Sequence, residues 1–187
     1  VSGRGSNLQA FLDASLSGSL DAQAVLVVSS ETGAPALERA RKAGVPAQAF
    51  PYRRESGLDQ KASRRLYDAR LADLIEPWKP DFVLLLGWMR ILSSAFIGRF
   101  PGRIYNLHPA LPGCFPGTDS IQRAWEAWKR GEIDHSGAML HLVPDEGVDT
   151  GPVLESEALS FSPGQCLEDF EAEMHRLEHR LVLRAAA

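Results

Sequence analysis

Short apolar segments alternate with amphipathic helical patterns along most of this chain, and this alternation limits the folds open to it. The clearest segment is Asp81–Gly87, with the sequence DFVLLLG, directly after Pro80. A continuous apolar run of this kind is typical of a strand covered on both faces of a parallel sheet. The alternation therefore predicts an α/β fold: a doubly wound, mostly parallel open sheet with helices on both faces.

The other predicted elements follow from the same patterns. Further strands are predicted at Ala22–Ser29, Val45–Phe50, Arg103–Leu107, Ser136–Val143 and Pro152–Leu159, and helices at Ala34–Ala43 and Leu58–Trp78. A C-terminal helix is indicated by apolar residues three or four apart, namely Leu167, Phe170, Met174, Leu177 and Leu181. Because the sequence has no internal repeat, linker or charge block, residues 1–187 are predicted to form a single domain.

Composition excludes several classes of function. The chain has 20 basic and 24 acidic residues, a net charge of -4, which argues against a nucleic-acid partner. Its apolar runs are too short to cross a bilayer, so no membrane association is expected. Cys114 and Cys166 are too few for a disulfide scaffold and indicate free thiols in a reducing, cytoplasmic compartment. We expect small-molecule partners, and the sequence leaves open whether the chain is a monomer or a homodimer.

A glycine-rich turn lies at the very beginning of the sequence. Gly3-Arg4-Gly5-Ser6-Asn7 precedes a helical pattern through Leu8, Phe11 and Leu12. Such a turn normally follows a strand, so we expect most of the first strand to be missing from this sequence. Exposed N–H groups at a helix N-terminus form an anion site, with Ser6 or Asn7 as the expected cap. An ordinary capped turn is the alternative, and this segment alone does not distinguish the two.

Asn106-Leu107-His108-Pro109 directly follows a predicted strand. Side chains two residues apart on an extended segment point the same way, so Asn106 and His108 are predicted to share one cleft. An amide beside an imidazole is suited to stabilising an oxyanion during acyl transfer. A histidine hydrogen-bonded within a turn before proline is the alternative interpretation.

A later acidic loop, Asp145-Glu146-Gly147-Val148-Asp149, precedes Gly151-Pro152. Asp145 and Glu146 are interpreted as solvated, whereas Asp149 lies where a rigid turn can direct it inward. The spacing lacks the alternation of a calcium loop. His175 and His179 lack the glutamate that a zinc protease needs directly after the first histidine. No metal site is predicted.

Together these segments resemble the phosphoribosylglycinamide formyltransferase family. The resemblance rests on segments in the family's order: GRGSNLQAFLD at Gly3–Asp13, GWMRILSSAF at Gly87–Phe96, NLHPALPG at Asn106–Gly113, PGTDSIQRAW at Pro116–Trp125 and HLVPDEGVDTGPVL at His141–Leu154. It extends from residue 2 to about residue 183 and implies the single-domain formyltransferase fold. The implied activity is transfer of the formyl group of 10-formyltetrahydrofolate to the amine of 5-phosphoribosylglycinamide, in purine biosynthesis.

The resemblance also implies roles for individual residues. It assigns catalysis to Asn106, His108 and Asp149, and binding of the phosphorylated substrate to Gly5, Ser6, Asn7 and Glu178. It assigns the folate cosubstrate to Arg64, Met89, Arg90, Ile91, Leu92 and Asn106. In this scheme the nearby Asp149 raises the pKa of His108 and keeps the imidazole charged.

Three other functions remain open from the sequence. Two are formyltransferase-fold enzymes, the core of a methionyl-tRNA formyltransferase and a formyltetrahydrofolate hydrolase. Against the tRNA enzyme, the sequence shows no second domain and no basic stripe that would bind tRNA. Against the hydrolase, that enzyme has no use for a turn that binds phosphate. The third is a ribonucleotide sensor without catalysis, which has no need of Asn106, His108 and Asp149 together.

Overall fold

The computed structural model describes residues 1–185 as one α/β domain. The strands are β1 (Val27–Ser29), β2 (Ala47–Ala49), β3 (Val83–Leu86), β4 (Ile104–His108), β5 (His135–Leu142) and β6 (Val153–Ser160). The helices are α1 (Ser6–Ser17), α2 (Pro35–Lys42), α3 (Gln60–Ile75), α4 (Ser94–Ile97), α5 (Ser120–Lys129) and α6 (Leu167–Ala185). No helix within the described range is long and apolar enough to cross a membrane.

The strands form two groups that lie side by side. β1 and β2 pair in parallel, and the other four strands follow the order β3-β4-β5-β6. β3 and β4 are parallel, whereas β5 runs antiparallel to both β4 and β6. The predicted α/β fold with a C-terminal helix is confirmed, and the change of pattern at Ser136 marks an antiparallel hairpin.

Helices cover both faces of the sheet. α6 packs on α1, β5 and β6, and its Phe170, Met174, Leu177 and Leu181 are fully buried. On the other face, α3 and α4 enclose a second core around Tyr67, Leu71, Phe96 and Phe100. β4 contributes to both cores, with Leu107 in the first and Ile104 in the second.

β1 is shorter than the sequence predicts. The expected strand Ala22–Ser29 is regular only over Val27–Ser29, where it pairs with β2. On its other side, between β1 and β3, lies a cavity of about 270 Å³. Its walls come from residues 22–28 and 82–86, and Phe11, Leu71 and Phe96 contribute apolar side chains. Residues 22–26 therefore have no strand neighbour that would make them regular.

Val1 lies beside β1 at one end of this cavity. Its amino nitrogen lies 3.0 Å from the carbonyl oxygen of Val28, and the amide of Ser30 donates to the carbonyl oxygen of Val1 at 3.3 Å. This pair of bonds is the pattern of a parallel bridge between Val1 and Ser29.

Candidate active site

The carboxyl end of β4 brings together the residues predicted to be catalytic. Asn106 and His108 point to the same side of β4, as their spacing predicts, and both face Asp149. The Asn106 amide donates to Asp149 Oδ1 at 2.9 Å, and His108 Nδ1 lies 3.4 Å from Asp149 Oδ2. The structure therefore places two strand residues and one loop residue in a single polar cluster.

The loop before β6 directs Asp149 inward. Asp149 adopts a left-handed conformation with φ 55, which aspartate tolerates better than most residues. At Gly151 an added Cβ would lie 1.8 Å from the carbonyl oxygen of Leu142, so only glycine permits this close approach. The amide of Gly117 donates to Asp149 Oδ2 at 2.8 Å and fixes the carboxylate from the opposite side.

Glu146 anchors the same loop to the helical face. Its Oε1 accepts a hydrogen bond from the Ser94 amide at 3.0 Å, and its Oε2 pairs with Arg64 on α3. Glu146 was expected to be solvated, but the structure places it in a specific contact, so that expectation is wrong. The partner amide lies in the first turn of α4, which the sequence did not reveal.

The charge states at the site follow from burial and hydrogen bonding. Burial lowers the pKa of His108, and it outweighs the opposing effects of Asp149 and the Phe115 carbonyl. Burial raises the pKa of Asp149, but the contact with His141, the hydrogen bond from the Gly117 amide and the nearby His108 ring outweigh it, so the pKa is lowered. The expectation that Asp149 keeps His108 charged is therefore wrong for the substrate-free protein.

His141 is a member of this cluster that sequence reasoning missed. It lies directly opposite Asn106 in the β4–β5 register and is 2% exposed. His141 Nε2 lies 3.2 Å from Asn106 Nδ2 and 3.4 Å from Asp149 Oδ1. The pairing of β5 with β6 is irregular at Leu140 and His141, whereas the β4–β5 register that places His141 opposite Asn106 is continuous. One hint of this role is present in the sequence. His141 lies eight residues before Asp149, within the same segment, His141–Leu154, that carries the family resemblance.

The glycine-rich turn forms the N-terminus of α1. Gly5 is the residue before the first helical turn, with φ 75, and no side chain caps the helix. The prediction that Ser6 or Asn7 caps α1 is therefore wrong, because both lie inside the helix. The first intrahelical bond runs from Gln9 N to Gly5 O at 2.9 Å. The N–H groups of Ser6, Asn7 and Leu8 thus lack intrahelical acceptors, as an anion site requires.

The structure brings Glu178 to this turn from the last helix. Glu178 is 5% exposed, and its Oε1 accepts from Asn7 Nδ2 at 3.3 Å. Its Oε2 lies 2.7 Å from His175 Nδ1, and this contact raises the pKa of His175. Three of the residues assigned to phosphorylated substrate, namely Gly5, Asn7 and Glu178, thus lie in one region between α1 and α6.

Apart from Asn106 on β4, the residues assigned to folate lie on the segment after β3 and on α3. Met89 and Ile91 are exposed, whereas Leu92 is buried in the second core and contributes only its backbone to any surface. The Arg90 guanidinium lies 3.9 Å from the centre of the Tyr52 ring. Arg64 contacts Glu146 rather than open solvent. Within residues 1–185 no three His, Cys, Asp or Glu side chains are arranged so that they could hold a metal ion.

Comparisons with known proteins identify the family. A model of the formyl transferase family matches residues 1–186. The phosphoribosylglycinamide formyltransferase of Schizosaccharomyces pombe is 40% identical, over 99% of this chain and 92% of that protein. The chain belongs to the phosphoribosylglycinamide formyltransferases. A crystal structure of glycinamide ribonucleotide transformylase 1 from Geobacillus kaustophilus superposes on this formyltransferase with a TM-score of 0.85, at 34% identity, covering 99% of this chain and 94% of that one.

The same formyltransferase domain also occurs inside larger proteins. The trifunctional purine biosynthetic protein adenosine-3 of Drosophila pseudoobscura pseudoobscura is 40% identical over 100% of this chain, which spans 13% of that protein. The family and the fold expected from the sequence are confirmed. As a phosphoribosylglycinamide formyltransferase, the chain is a transferase that uses small-molecule substrates, including a folate-derived cosubstrate.

Proposed function

We propose that this chain transfers the formyl group of 10-formyltetrahydrofolate to the amine of 5-phosphoribosylglycinamide. The observation that carries the proposal is the meeting of Asn106, His108 and Asp149 at the carboxyl end of β4. That edge of an open α/β sheet is where ligands bind. The second support is the uncapped N-terminus of α1, with Gly5 approaching it, which suits the substrate phosphate.

Each substrate has an assigned place in this proposal. Ser6 and Asn7 donate backbone N–H groups to the phosphate, and Glu178 accepts from the ribose hydroxyls. Met89, Arg90 and Leu92 bind the pterin through their backbone groups, with Ile91 beside them. Arg64 lies at the tail of the folate. The reacting formyl carbon then lies beside Asn106 and His108.

The reaction proceeds by direct attack. The lone pair of the neutral glycinamide amine forms a bond to the formyl carbon, and the carbonyl electron pair moves to the formyl oxygen. His108 takes up the proton that the attacking amine loses, and Asn106 and the resulting imidazolium donate hydrogen bonds to that oxyanion. The bond from carbon to N10 of the folate then breaks, the electron pair leaves with N10, and the carbonyl is restored. The proton lost by the amine is delivered to N10.

Burial and Asp149 give His108 its role in this proton transfer. A lowered pKa makes the His108 imidazolium a stronger acid toward the leaving nitrogen. Asp149, with its own pKa lowered, stays ionised and stabilises the imidazolium while it exists. Asp149 therefore acts by stabilising the charge that appears during the reaction, not by maintaining it beforehand.

The test is formyl transfer with purified protein, followed by the absorbance change of the folate. Both substrates together are expected to give turnover, and 10-formyltetrahydrofolate alone is expected to give none. Turnover without the ribonucleotide would indicate a formyltetrahydrofolate hydrolase instead. Binding of the ribonucleotide in calorimetry without any turnover would indicate a sensor.

The proposal also covers the compartment, the oligomeric state and the requirements of the enzyme. We assign it to the cytoplasm, as a monomer or homodimer that needs no metal, no membrane and no nucleic acid. The unpaired, exposed thiols of Cys114 and Cys166 suit a reducing compartment. Treatment with a chelator is expected to leave the rate unchanged, and light scattering during chromatography measures the oligomeric state.

A further inference from the structure

The hydrogen bonds around Asn106 give His141 a definite role. Asn106 Nδ2 carries two N–H groups and faces two acceptors, Asp149 Oδ1 and His141 Nε2. His141 Nδ1 lies 2.9 Å from the carbonyl oxygen of Leu142, which can only accept. Nδ1 therefore carries the proton, and in the neutral ring Nε2 is the acceptor for Asn106.

This arrangement fixes the Asn106 amide before substrate binds. One N–H group is directed to Asp149 and the other to His141, so the plane of the amide and its nitrogen end are both determined. At 2% exposed, His141 has no surface of its own to offer to a substrate. Any effect of His141 on the reaction must therefore pass through its neighbours Asn106, Asp149 and His108.

We propose that His141 is a positioning residue that holds one N–H group of Asn106 until the formyl oxygen replaces it as acceptor. This rests on the proposed role of Asn106. The bond to Asp149 persists throughout, so the exchange needs only a small rotation of the amide. An amide held this way is preorganised for the oxyanion, which is how such donors lower a barrier.

The test compares two substitutions of His141. Phenylalanine keeps the ring volume and removes the acceptor, whereas glutamine keeps an acceptor close to the position of Nε2 and does not titrate. For His141→Phe we expect kcat to fall about ten-fold or more, with KM for both substrates within about two-fold. His141→Gln is expected to retain most of kcat and the wild-type pH profile. The charged groups facing His141 are Asp149 and His108, so that profile reports on both.

Controls separate this role from a structural one. His135 is an exposed histidine on the same strand, and His135→Gln is expected to leave kcat unchanged. Equal losses in His141→Phe and His141→Gln, or no loss in a folded His141→Phe, would overturn the proposal. If His141→Phe does not fold, His141→Asn, which places its acceptor near Nδ1 instead, must lose the kcat that His141→Gln keeps. Failure of the proposed function is distinguishable, because the wild-type protein would then show no transfer.

Discussion

Asp149 Oδ2 lies 3.4 Å from His108 Nδ1, and the two side chains are 10% and 5% exposed. This contact joins a residue on β4 to a residue on the loop before β6. It gives a buried histidine a buried anion as its neighbour. The contact supports a role for both residues in proton transfer.

Removing either member of the pair is expected to reduce turnover. His108→Ala deletes the acid, and Asp149→Asn keeps the shape of the side chain while removing its charge. Because positioned acid–base groups contribute about 100-fold or more, each variant is expected to lose at least that much in kcat, with KM little changed. Asp145→Asn, on the exposed part of the same loop, is the matched control for charge and is expected to retain full kcat. A loss of about ten-fold or less in both site variants would contradict the assignment.

The pKa of His108 is expected to lie below 6.5 in the free protein. NMR titration of the imidazole protons measures it directly, and Asp149→Asn is expected to lower it further, because that substitution removes the anion that opposes burial. Since the unfolded histidine takes up its proton at a higher pH than the folded one, the free energy of unfolding falls as pH drops below 6.5. A His108 pKa above 6.5 in the wild-type protein would contradict the prediction.

Gly5 is expected to be required for binding of the phosphorylated substrate. An added Cβ would lie 2.7 Å from the Cβ of Ala36, and the residue has a left-handed φ. Gly5→Ala therefore displaces α2 or the turn, and we expect a higher Kd for 5-phosphoribosylglycinamide in calorimetry. Gly3→Ala, in the same turn, has open space around the new Cβ and is expected to bind normally. Equal affinities for the two variants would rule out this role of Gly5.

Asp68 is expected to stabilise the fold as a hydrogen-bond acceptor and not as a charge. It is 1% exposed, burial raises its pKa, and its Oδ2 accepts from the Ser93 amide at 2.6 Å. Asp68→Asn keeps an acceptor, so its free energy of unfolding is expected to stay within about 1 kcal/mol of wild type at pH 7. Asp68→Ala leaves the Ser93 amide unpaired and is expected to lose about 2 kcal/mol or more. Urea denaturation measures both, and similar values for the two variants would argue against the acceptor role.

The sequence predicts those parts of the site that depend on local geometry. Asn106 and His108 lie two apart on one strand, and the alternation of side chains alone places them together. His141 escapes such reasoning, because its place opposite Asn106 depends on the β4–β5 register, which is a property of the assembled sheet. The charge of His108 escapes it as well, since burial is a property of the assembled core.

The same distinction applies to the fold. The apolar run at Asp81–Gly87 predicts a strand, and β3 lies within it. The run at Ala22–Ser29 predicts a strand equally well, yet only Val27–Ser29 is regular, because the rest has no neighbour to bond. At the N-terminus of α1, residue preferences favour Ser6 or Asn7 as the cap. In the structure the left-handed Gly5 occupies that position instead.

The bond between Asn7 and Glu178 joins residues 171 positions apart. Because Glu178 lies on α6, after all six strands in the sequence, a nascent chain that has folded only the earlier elements cannot hold the ribonucleotide in this way. Contacts of such long sequence separation are formed late and slow the folding rate. Ligand added during refolding is therefore expected to stabilise only the final state, after the first and last helices have met.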